Sequence, residues 1–187
     1  VELQFIGCLF QDNKVNKGNF GGALYINARF KPVTIDQCTF SNTISDTSLY
    51  GGAIYIDAQT TKDVKIINSH FRNLKVTDKD GDQVSGNAIY FEKTYSNVLI
   101  QDCDFIDCGT TGSVISSDGK NVIFERSKIT FTNTQASCKG IRIRKDAHFE
   151  LIDSTISNCF STTDGGAFQY NPDDSDPKSE NLVFRNL

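Results

Sequence analysis

The length, composition and charge of the chain exclude several classes of protein. It has 187 residues, a formal net charge of −4 at pH 7, 14 Phe and six Cys, but neither Trp nor Met. Its 19 Lys and Arg are scattered among 23 Asp and Glu, so it lacks the basic patch with which proteins bind nucleic acid. No apolar run reaches the length of a transmembrane helix, and we therefore expect no membrane insertion within this segment.

One short sequence pattern recurs along the whole chain. It consists of two apolar residues separated by one position, then Cys or Ser, an apolar residue two positions later, and Asn or Asp two beyond that. The apolar pair begins at Leu3, Val33, Val64, Val98, Val122, Phe149 and Leu182. In the fifth copy Phe131 stands where Asn is expected, and the seventh copy is cut off. Self-similarity at intervals of 24 to 34 residues is typical of a solenoid, in which each repeat stacks on the next.

The spacing of the apolar residues predicts strands rather than helices. Both halves of the pattern alternate with period two, and no stretch repeats its apolar residues at i, i+3, i+4 and i+7. A third strand in each repeat follows a glycine, and these glycines are Gly21, Gly51, Gly86, Gly112, Gly140 and Gly165. Three strands per coil, stacked in parallel about 4.8 Å apart, form a parallel β-helix. Parallel crossovers favour the right-handed form.

We therefore predict an all-β chain that folds as a right-handed parallel β-helix, a pectin-lyase-like solenoid of about six coils plus a truncated one. In this interpretation residues 1–187 are a single solenoid segment, and we expect it to be a fragment of a longer chain because neither end carries a cap. The first inward column follows the starts of the repeats. The second is expected to hold Phe10, Phe40, Phe71, Phe105, Ile129 and Ile156. The third is expected to hold Leu24, Ile54, Ile89, Ile115, Ile141 and Phe168.

The turn after the second strand carries a column of amide and carboxylate side chains. Its members are Asp12, Asn42, Asn73, Asp107 and Asn158. Stacked side chains of this kind can hydrogen-bond one another and the turn backbone from coil to coil, and each bond contributes about 1 kcal/mol. We interpret the column as a structural asparagine ladder that satisfies buried turn amides, rather than as a ligand site.

The six cysteines form two groups. The first shares an inward column with serines and contains Cys8, Cys38 and Cys103. We expect these to be free, buried thiols, because parallel in-register stacking rarely gives the dihedral angle of a disulfide. The second lies near turns and contains Cys108, Cys138 and Cys159, where a disulfide that involves Cys138 is an open alternative. No C-x-x-C or His-rich spacing indicates zinc.

Two motifs suggest a family. Phe10-Gln-Asp-Asn13 is followed by Gly21-Gly22-Ala23-Leu24, and Phe40-Ser-Asn42 is followed by Gly51-Gly52-Ala53-Ile54. This pairing resembles the repeats of chlamydial polymorphic outer-membrane proteins, and more broadly the parallel β-helix repeat proteins of bacterial and protist cell surfaces. The resemblance implies a non-catalytic structural or adhesin-like protein, extracellular or on the cell surface. It also implies that the partners are other protein surfaces, further coils of the same chain, or glycans.

The alternative function is that of a carbohydrate-active enzyme, because pectin lyases and polygalacturonases share the predicted architecture. The polygalacturonase pattern requires N-T-D, D-D, G-H-G and R-I-K in that order. Here Arg142-Ile143-Arg144-Lys145 comes before Asp173-Asp174, and both N-T-D and G-H-G are absent. These departures argue against that family, while a polysaccharide lyase or glycoside hydrolase of another type stays open.

One polar patch provides weak catalytic candidates. His70, Asp104 and Lys128 are expected to stack in adjacent coils on the outer side of the second strand, beside a second column. That second column contains Asn68, Asp102, Arg126 and Asp153. A His beside an Asp can act as an acid–base pair. A surface ladder of opposite charges explains the same residues, and we favour that interpretation.

Calcium and an aromatic surface are the last chemical options. Asp78, Asp80 and Asp82 lie in a glycine-containing loop, and the run from Asp173 to Asp176 offers three more carboxylates. The first loop departs from the EF-hand pattern, so we favour solvated turns and expect no cofactor. Tyr25, Tyr55 and Tyr90 stack on successive coils: facing outward they form an exposed aromatic strip for sugars or protein, and facing inward they belong to the core.

Overall fold

The strands of the chain return in a fixed order, coil after coil. The computed structural model describes residues 2–16, 20–27, 31–46, 50–57, 63–77, 86–92, 97–118, 121–132, 138–144, 148–161, 165–171 and 181–187, and these ranges contain strands and turns but no helix. Strands pair in parallel with their equivalents in the neighbouring coils. The all-β parallel solenoid predicted from the sequence is therefore confirmed.

The first sheet has seven strands, one from each copy of the repeat. They are Leu3–Ile6, Val33–Asp36, Asp63–Ile67, Asn97–Gln101, Asn121–Glu125, His148–Ile152 and Asn181–Arg185. The register pairs Leu3 with Val33 and Val33 with Val64, and continues in the same way to Leu182. The predicted first inward column is confirmed, since alternation with period two puts the same positions of every coil on the inner face.

The second sheet has six strands of three residues each. They are Leu9–Gln11, Thr39–Ser41, His70–Arg72, Asp104–Ile106, Lys128–Thr130 and Thr155–Ser157. Its inward column begins with four stacked phenylalanines, whose ring centroids are 4.7, 4.9 and 4.5 Å apart between Phe10, Phe40, Phe71 and Phe105. Ile129 and Ile156 continue the column in register. The second predicted inward column is thus also confirmed.

The third sheet has six strands. They are Leu24–Ile26, Ile54–Asp57, Ile89–Glu92, Ser113–Ser117, Lys139–Arg144 and Phe168–Asn171. The register runs from Leu24 through Ile54 to Phe168, as predicted for the third inward column. The three inward columns together form one hydrophobic core inside the coils.

The glycines that precede the third sheet serve two different purposes. Gly51 has φ of +64°, a left-handed conformation that glycine adopts without strain. Gly52 has no such conformation, but a Cβ there would overlap the carbonyl oxygen of Asn87 in the next coil. The prediction that a glycine precedes the third strand is wrong for Gly140. Because Ile115 pairs with Ile141, Gly140 lies inside the strand opposite Val114, and Cys138 occupies the position that corresponds to Gly112.

A short fourth strand, which the sequence analysis did not predict, is present in the first three coils. These strands are Lys14–Asn16, Ile44–Asp46 and Lys75–Thr77, and they form a three-stranded sheet between the second and third sheets. Val76 is buried, as is Ser45. The prediction of three strands per coil is therefore wrong for these coils. A three-residue strand with Val and Ser in one inward column is too short and too mixed to show alternation.

A buried column of Cys and Ser closes the corner between the first and second sheets. Ser127 is 3% exposed, and its hydroxyl donates to Glu125 O at 2.9 Å and accepts from Cys103 N at 2.9 Å. Cys103 Sγ contacts Gln101 O at 3.2 Å in the same geometry. The column thus satisfies corner backbone groups inside the core, where an unpaired group would be destabilising.

Candidate functional site

The predicted asparagine ladder lies at the corner after the second sheet. All five members have left-handed backbone, with φ between 52° and 59°, and they are Asp12, Asn42, Asn73, Asp107 and Asn158. Asn and Asp adopt this conformation more readily than most other L-residues. Asn42 Nδ2 donates to Asp12 Oδ1 at 3.1 Å, and Asn73 Nδ2 donates to Asn42 Oδ1 at 3.4 Å. The structure therefore brings the first three members together as a ladder.

The last two members of the column have other partners. Asp107 accepts from Thr132 N at 2.7 Å, and Asn158 Nδ2 donates to Phe131 O at 3.0 Å. Asp107 is half-buried and the other four side chains are exposed. Since water competes for exposed hydrogen bonds, the column supports the corner mainly through its backbone conformation.

A second column of left-handed residues lies at the corner between the first and second sheets. It contains Gln37, Asn68, Asp102, Arg126, Asp153 and Asn186, with φ between 45° and 53°. Asn68, Asp102, Arg126 and Asp153 were predicted as a column beside His70, Asp104 and Lys128, and they lie at the corner that precedes the second-sheet strands. Arg126 forms a two-pronged ion pair with Asp102, at 2.9 Å from Nε and 2.8 Å from Nη2. This hydrogen-bonded partner lowers the pKa of the Asp102 carboxyl.

The weak catalytic candidates do meet on the outer face of the second sheet. His70 pairs in register with Asp104, and Asp104 with Lys128. His70 Nδ1 lies 3.0 Å from Asp104 Oδ2, with 47% and 41% of the two side chains exposed. The pair lies on an outward strand face in contact with water, where an ion pair contributes little. Its geometry is that of a rung in a surface ladder, and an acid–base role stays a prediction.

The tyrosine column is not an exposed aromatic strip. Tyr25, Tyr55 and Tyr90 stack on the outer face of the third sheet, with ring centroids 5.4 and 5.6 Å apart. Only Tyr25 is exposed, at 54%, whereas Tyr55 and Tyr90 are 2% and 4% exposed. Phe20 packs on Tyr55 at 4.3 Å and Tyr50 packs on Tyr90 at 4.7 Å. The column faces outward, which was one of the two predicted alternatives. Phe20 and Tyr50, which precede the third-sheet strands, nevertheless cover it.

A second outward column runs beside the tyrosines, where the third-sheet strands end. It contains Asn27, Asp57, Glu92, Asp118, Arg144 and Asn171. The tyrosines bond to its acids across one coil: Tyr55 donates to Glu92, and Tyr90 donates to Asp118 Oδ2 at 2.9 Å. Burial and these carboxylates together raise the pKa of both tyrosine hydroxyls. Three acids on successive coils thus share one face with buried aromatic rings.

The tyrosine column changes chemistry in its later coils. Ser116 follows Tyr90, and Arg142 follows Ser116, in the register of the sheet. Ser116 is fully buried and Arg142 is half-buried. Burial lowers the pKa of the Arg142 guanidinium, and the neighbouring Arg144 lowers it further. Neither Ser116 nor Asp118 was predicted from the sequence, although Ser116 continues the tyrosine column by one coil.

All six cysteines are free thiols. The expectation of free, buried thiols is confirmed for Cys38 and Cys103, whereas Cys8 is free but only half-buried. The alternative of a disulfide at Cys138 is not realised in this structure. Cys138 is fully buried, and its Sγ lies 3.6 Å from Cys108 O. Burial raises the pKa of the Cys108 thiol to about 12 and that of Cys159 to about 11. Thiols with such values are poor nucleophiles at neutral pH.

The calcium candidates lie outside the described residues. This holds for Asp78, Asp80 and Asp82 and for the second acidic run at Asp173, Asp174 and Asp176. Within the described ranges, no group of three or more His, Cys, Asp and Glu is arranged to hold a metal ion. In the same part of the chain, no helix has the length and apolar character needed to cross a membrane.

Comparison with known proteins agrees with this geometry. The family model described as "Right handed beta helix region" matches residues 3–186, and the chain belongs to this family. The match confirms the predicted right-handed winding. No curated protein and no solved structure matches the chain.

Proposed function

We propose that the chain is a non-catalytic structural β-helix of an extracellular or cell-surface protein, which acts through contacts with other protein or with glycans. The observation that carries the proposal is the pairing of outward polar side chains with each other. His70 bonds to Asp104, Arg126 bonds to Asp102 and Asn42 bonds to Asp12, each from one coil to the next. Side chains that pair along a column build a stiff, patterned surface instead of converging on a reaction centre.

Three further features support this function. The Phe-x-x-Asn and Gly-Gly-Ala motifs resemble those of the chlamydial polymorphic outer-membrane proteins. The described thiols are mostly buried, which protects them from oxidation in an extracellular setting. The first coil exposes Ile6 by 57% and Leu9 by 65%, and apolar surface of this kind fits a protein partner or a further coil.

The experiment that tests the proposal compares binding with turnover. The purified chain is incubated with polygalacturonate and with a panel of neutral and acidic glycans, and both complex formation and release of reducing or unsaturated ends are measured. We expect binding to protein or glycan without product. Turnover that is lost in His70→Ala or Asp104→Ala would overturn the non-catalytic proposal and restore the catalytic assignment of that pair.

The second candidate function is a carbohydrate-active enzyme, and one specific observation favours it. Asp57, Glu92 and Asp118 follow one another on successive coils, and coils lie about 4.8 Å apart. Glycoside hydrolases use two carboxylates roughly 5 to 9.5 Å apart, so neighbouring or alternate coils supply suitable separations. Turnover that survives at His70→Ala but is lost in Glu92→Gln would support this candidate.

A further inference from the structure

We propose that the outer face of the first sheet is a self-association surface, on which a second copy of this chain packs face to face with its coils in the opposite order. The inference rests on the proposed function, because it names one protein partner of the structural β-helix. It is carried by the side chains of this face, whose pattern is complementary to itself.

Three outward columns make up this face. The middle column holds Thr34, Lys65, Leu99, Ile123, Glu150 and Val183 in the register of the sheet. The column towards the second sheet holds Asp36, Ile67, Gln101, Glu125, Ile152 and Arg185. The column on the other side includes Asp63, Asn97, Asn121 and His148. Apolar side chains of this face are only half-buried in the single chain, namely Ile67, Leu99, Ile123 and Ile152.

One symmetric arrangement brings the apolar side chains of two copies together. A two-fold axis along the strand direction keeps each column opposite itself and reverses the order of the coils. When this axis lies midway between the fourth and fifth strands of the sheet, these two strands face each other, the third faces the sixth, and the second faces the seventh. Leu99 then faces Ile123 of the second copy, and both lose contact with water. Ile67 faces Ile152 of the second copy in the same way.

The same arrangement pairs opposite charges. Lys65 faces Glu150 of the second copy in the middle column, and Asp36 faces Arg185 of the second copy in the column beside it. Each pair occurs twice, because a two-fold interface repeats every contact. The remaining polar positions match amide or imidazole groups with amides or carboxylates, in the pairs Gln101–Glu125, Asn97–Asn121 and Asp63–His148. Charge complementarity of this kind fixes the register of an interface.

Glu150 can bond to the second copy without losing its partner in its own chain. Its Oε1 lies 2.7 Å from His148 Nε2. Its Oε2 lies 4.0 Å from Arg185 Nη2, which is beyond the length of a hydrogen bond. Oε2 is therefore able to accept from Lys65 of the second copy, whose side chain is exposed.

Other arrangements of the same two faces oppose like charges. An axis on the fifth strand, Asn121–Glu125, would put Glu125 opposite Glu125 and Leu99 opposite Glu150. An axis along the solenoid would keep each coil opposite itself, so Lys65 would face Lys65 and Glu150 would face Glu150. Like charges in contact disfavour an arrangement. The pattern of charges therefore selects the axis between the fourth and fifth strands.

The size of the face indicates a reversible dimer. Six strands at about 4.8 Å, each with up to about five residues at 3.3 Å, cover roughly 500 Å² per copy. This footprint is at the low end for a specific protein interface. We therefore expect a dissociation constant on the order of 10 µM, and weaker association at high salt because part of the contact is ionic.

The test measures the average mass of the whole chain by sedimentation, over concentrations that span the expected dissociation constant. The variants are Lys65→Glu and Glu150→Lys, each alone and in an equimolar mixture. Either variant alone opposes like charges in its own dimer. In a mixed dimer the new carboxylate faces the new ammonium group, and the native Lys65 of one copy faces the native Glu150 of the other. The matched control is Lys75→Glu, the same charge reversal on the exposed side of the strand Lys75–Thr77.

We expect the native chain and Lys75→Glu to dimerise with affinities within about twofold of each other. Each single variant should weaken the dimer by about tenfold or more, and the mixture should recover most of that loss. High salt should weaken the native dimer severalfold, and this measurement needs no variant.

A native chain that stays monomeric, or a dimer that salt and both single variants leave intact, would overturn the surface. A mixture of folded variants that does not recover would overturn the pairing of Lys65 with Glu150. None of these results affects binding to glycans or to other proteins, so the proposed function would survive them. Glycan turnover, in contrast, would overturn the proposed function while the dimer remained.

Discussion

Replacing Asn42 separates two contributions that the asparagine column makes to stability. Asn42 has φ of +53°, donates to Asp12 and accepts from Asn73. Alanine removes both bonds and keeps a Cβ in the left-handed region, where an ordinary L-residue is destabilised by about 1 to 2 kcal/mol. Glycine removes the same bonds without that strain, although it adds conformational freedom to the unfolded chain, worth about 0.5 to 1 kcal/mol.

We therefore expect Asn42→Ala to be about 1 to 2 kcal/mol less stable than the native chain, and Asn42→Gly to be clearly more stable than Asn42→Ala. Urea unfolding, with free energies from the midpoint and slope, measures both. Ser41→Ala, on the preceding outward position of the strand, is the control and should change stability by less than about 0.5 kcal/mol. If glycine were as damaging as alanine, the side-chain bonds and not the backbone conformation would support the corner.

Two further predictions concern the core. Phe71→Ala should destabilise by about 3 to 5 kcal/mol in the same urea assay, because Phe71 is fully buried between Phe40 and Phe105; a loss below about 1 kcal/mol would contradict a packed stack. Burial raises the pKa of Cys103 to about 12, so the thiol loses its proton at a lower pH in the unfolded state than in the folded state. The free energy of unfolding should therefore fall by about 1.4 kcal/mol per pH unit for this thiol once the pH exceeds roughly 8.5. Cys103→Ser, which copies Ser69 and Ser127 in the same column, should show a shallower loss between pH 9 and 10; an unchanged slope would rule out the thiol as its cause.

The inward columns could be predicted from the sequence because stacking makes them redundant. In a β-helix each inward position meets its equivalent in the next coil, so Phe10, Phe40 and Phe71 must align for the rings to stack. A shift by one residue would turn every apolar side chain of a strand outward. Alternation within one copy and repetition between copies therefore indicate the same register.

The cover over the tyrosines could not be predicted, because it depends on contacts between segments whose positions the repeat does not define. Phe20 and Tyr50 lie outside the alternating pattern, yet their rings bury Tyr55 and Tyr90. The exposure of the asparagine column could not be predicted either, because periodicity does not report the direction of a side chain at a left-handed corner.

Positions that repeat and positions that vary have different physical roles in this chain. An inward column tolerates only side chains that match the coil above and below, so its composition reports packing. In an outward column the side chain can vary wherever it does not pack against its equivalent in the neighbouring coil. The column from Tyr25 through Tyr90 repeats because the rings stack, and it stops repeating at Ser116 and Arg142, where no ring requires a matching ring in the next coil.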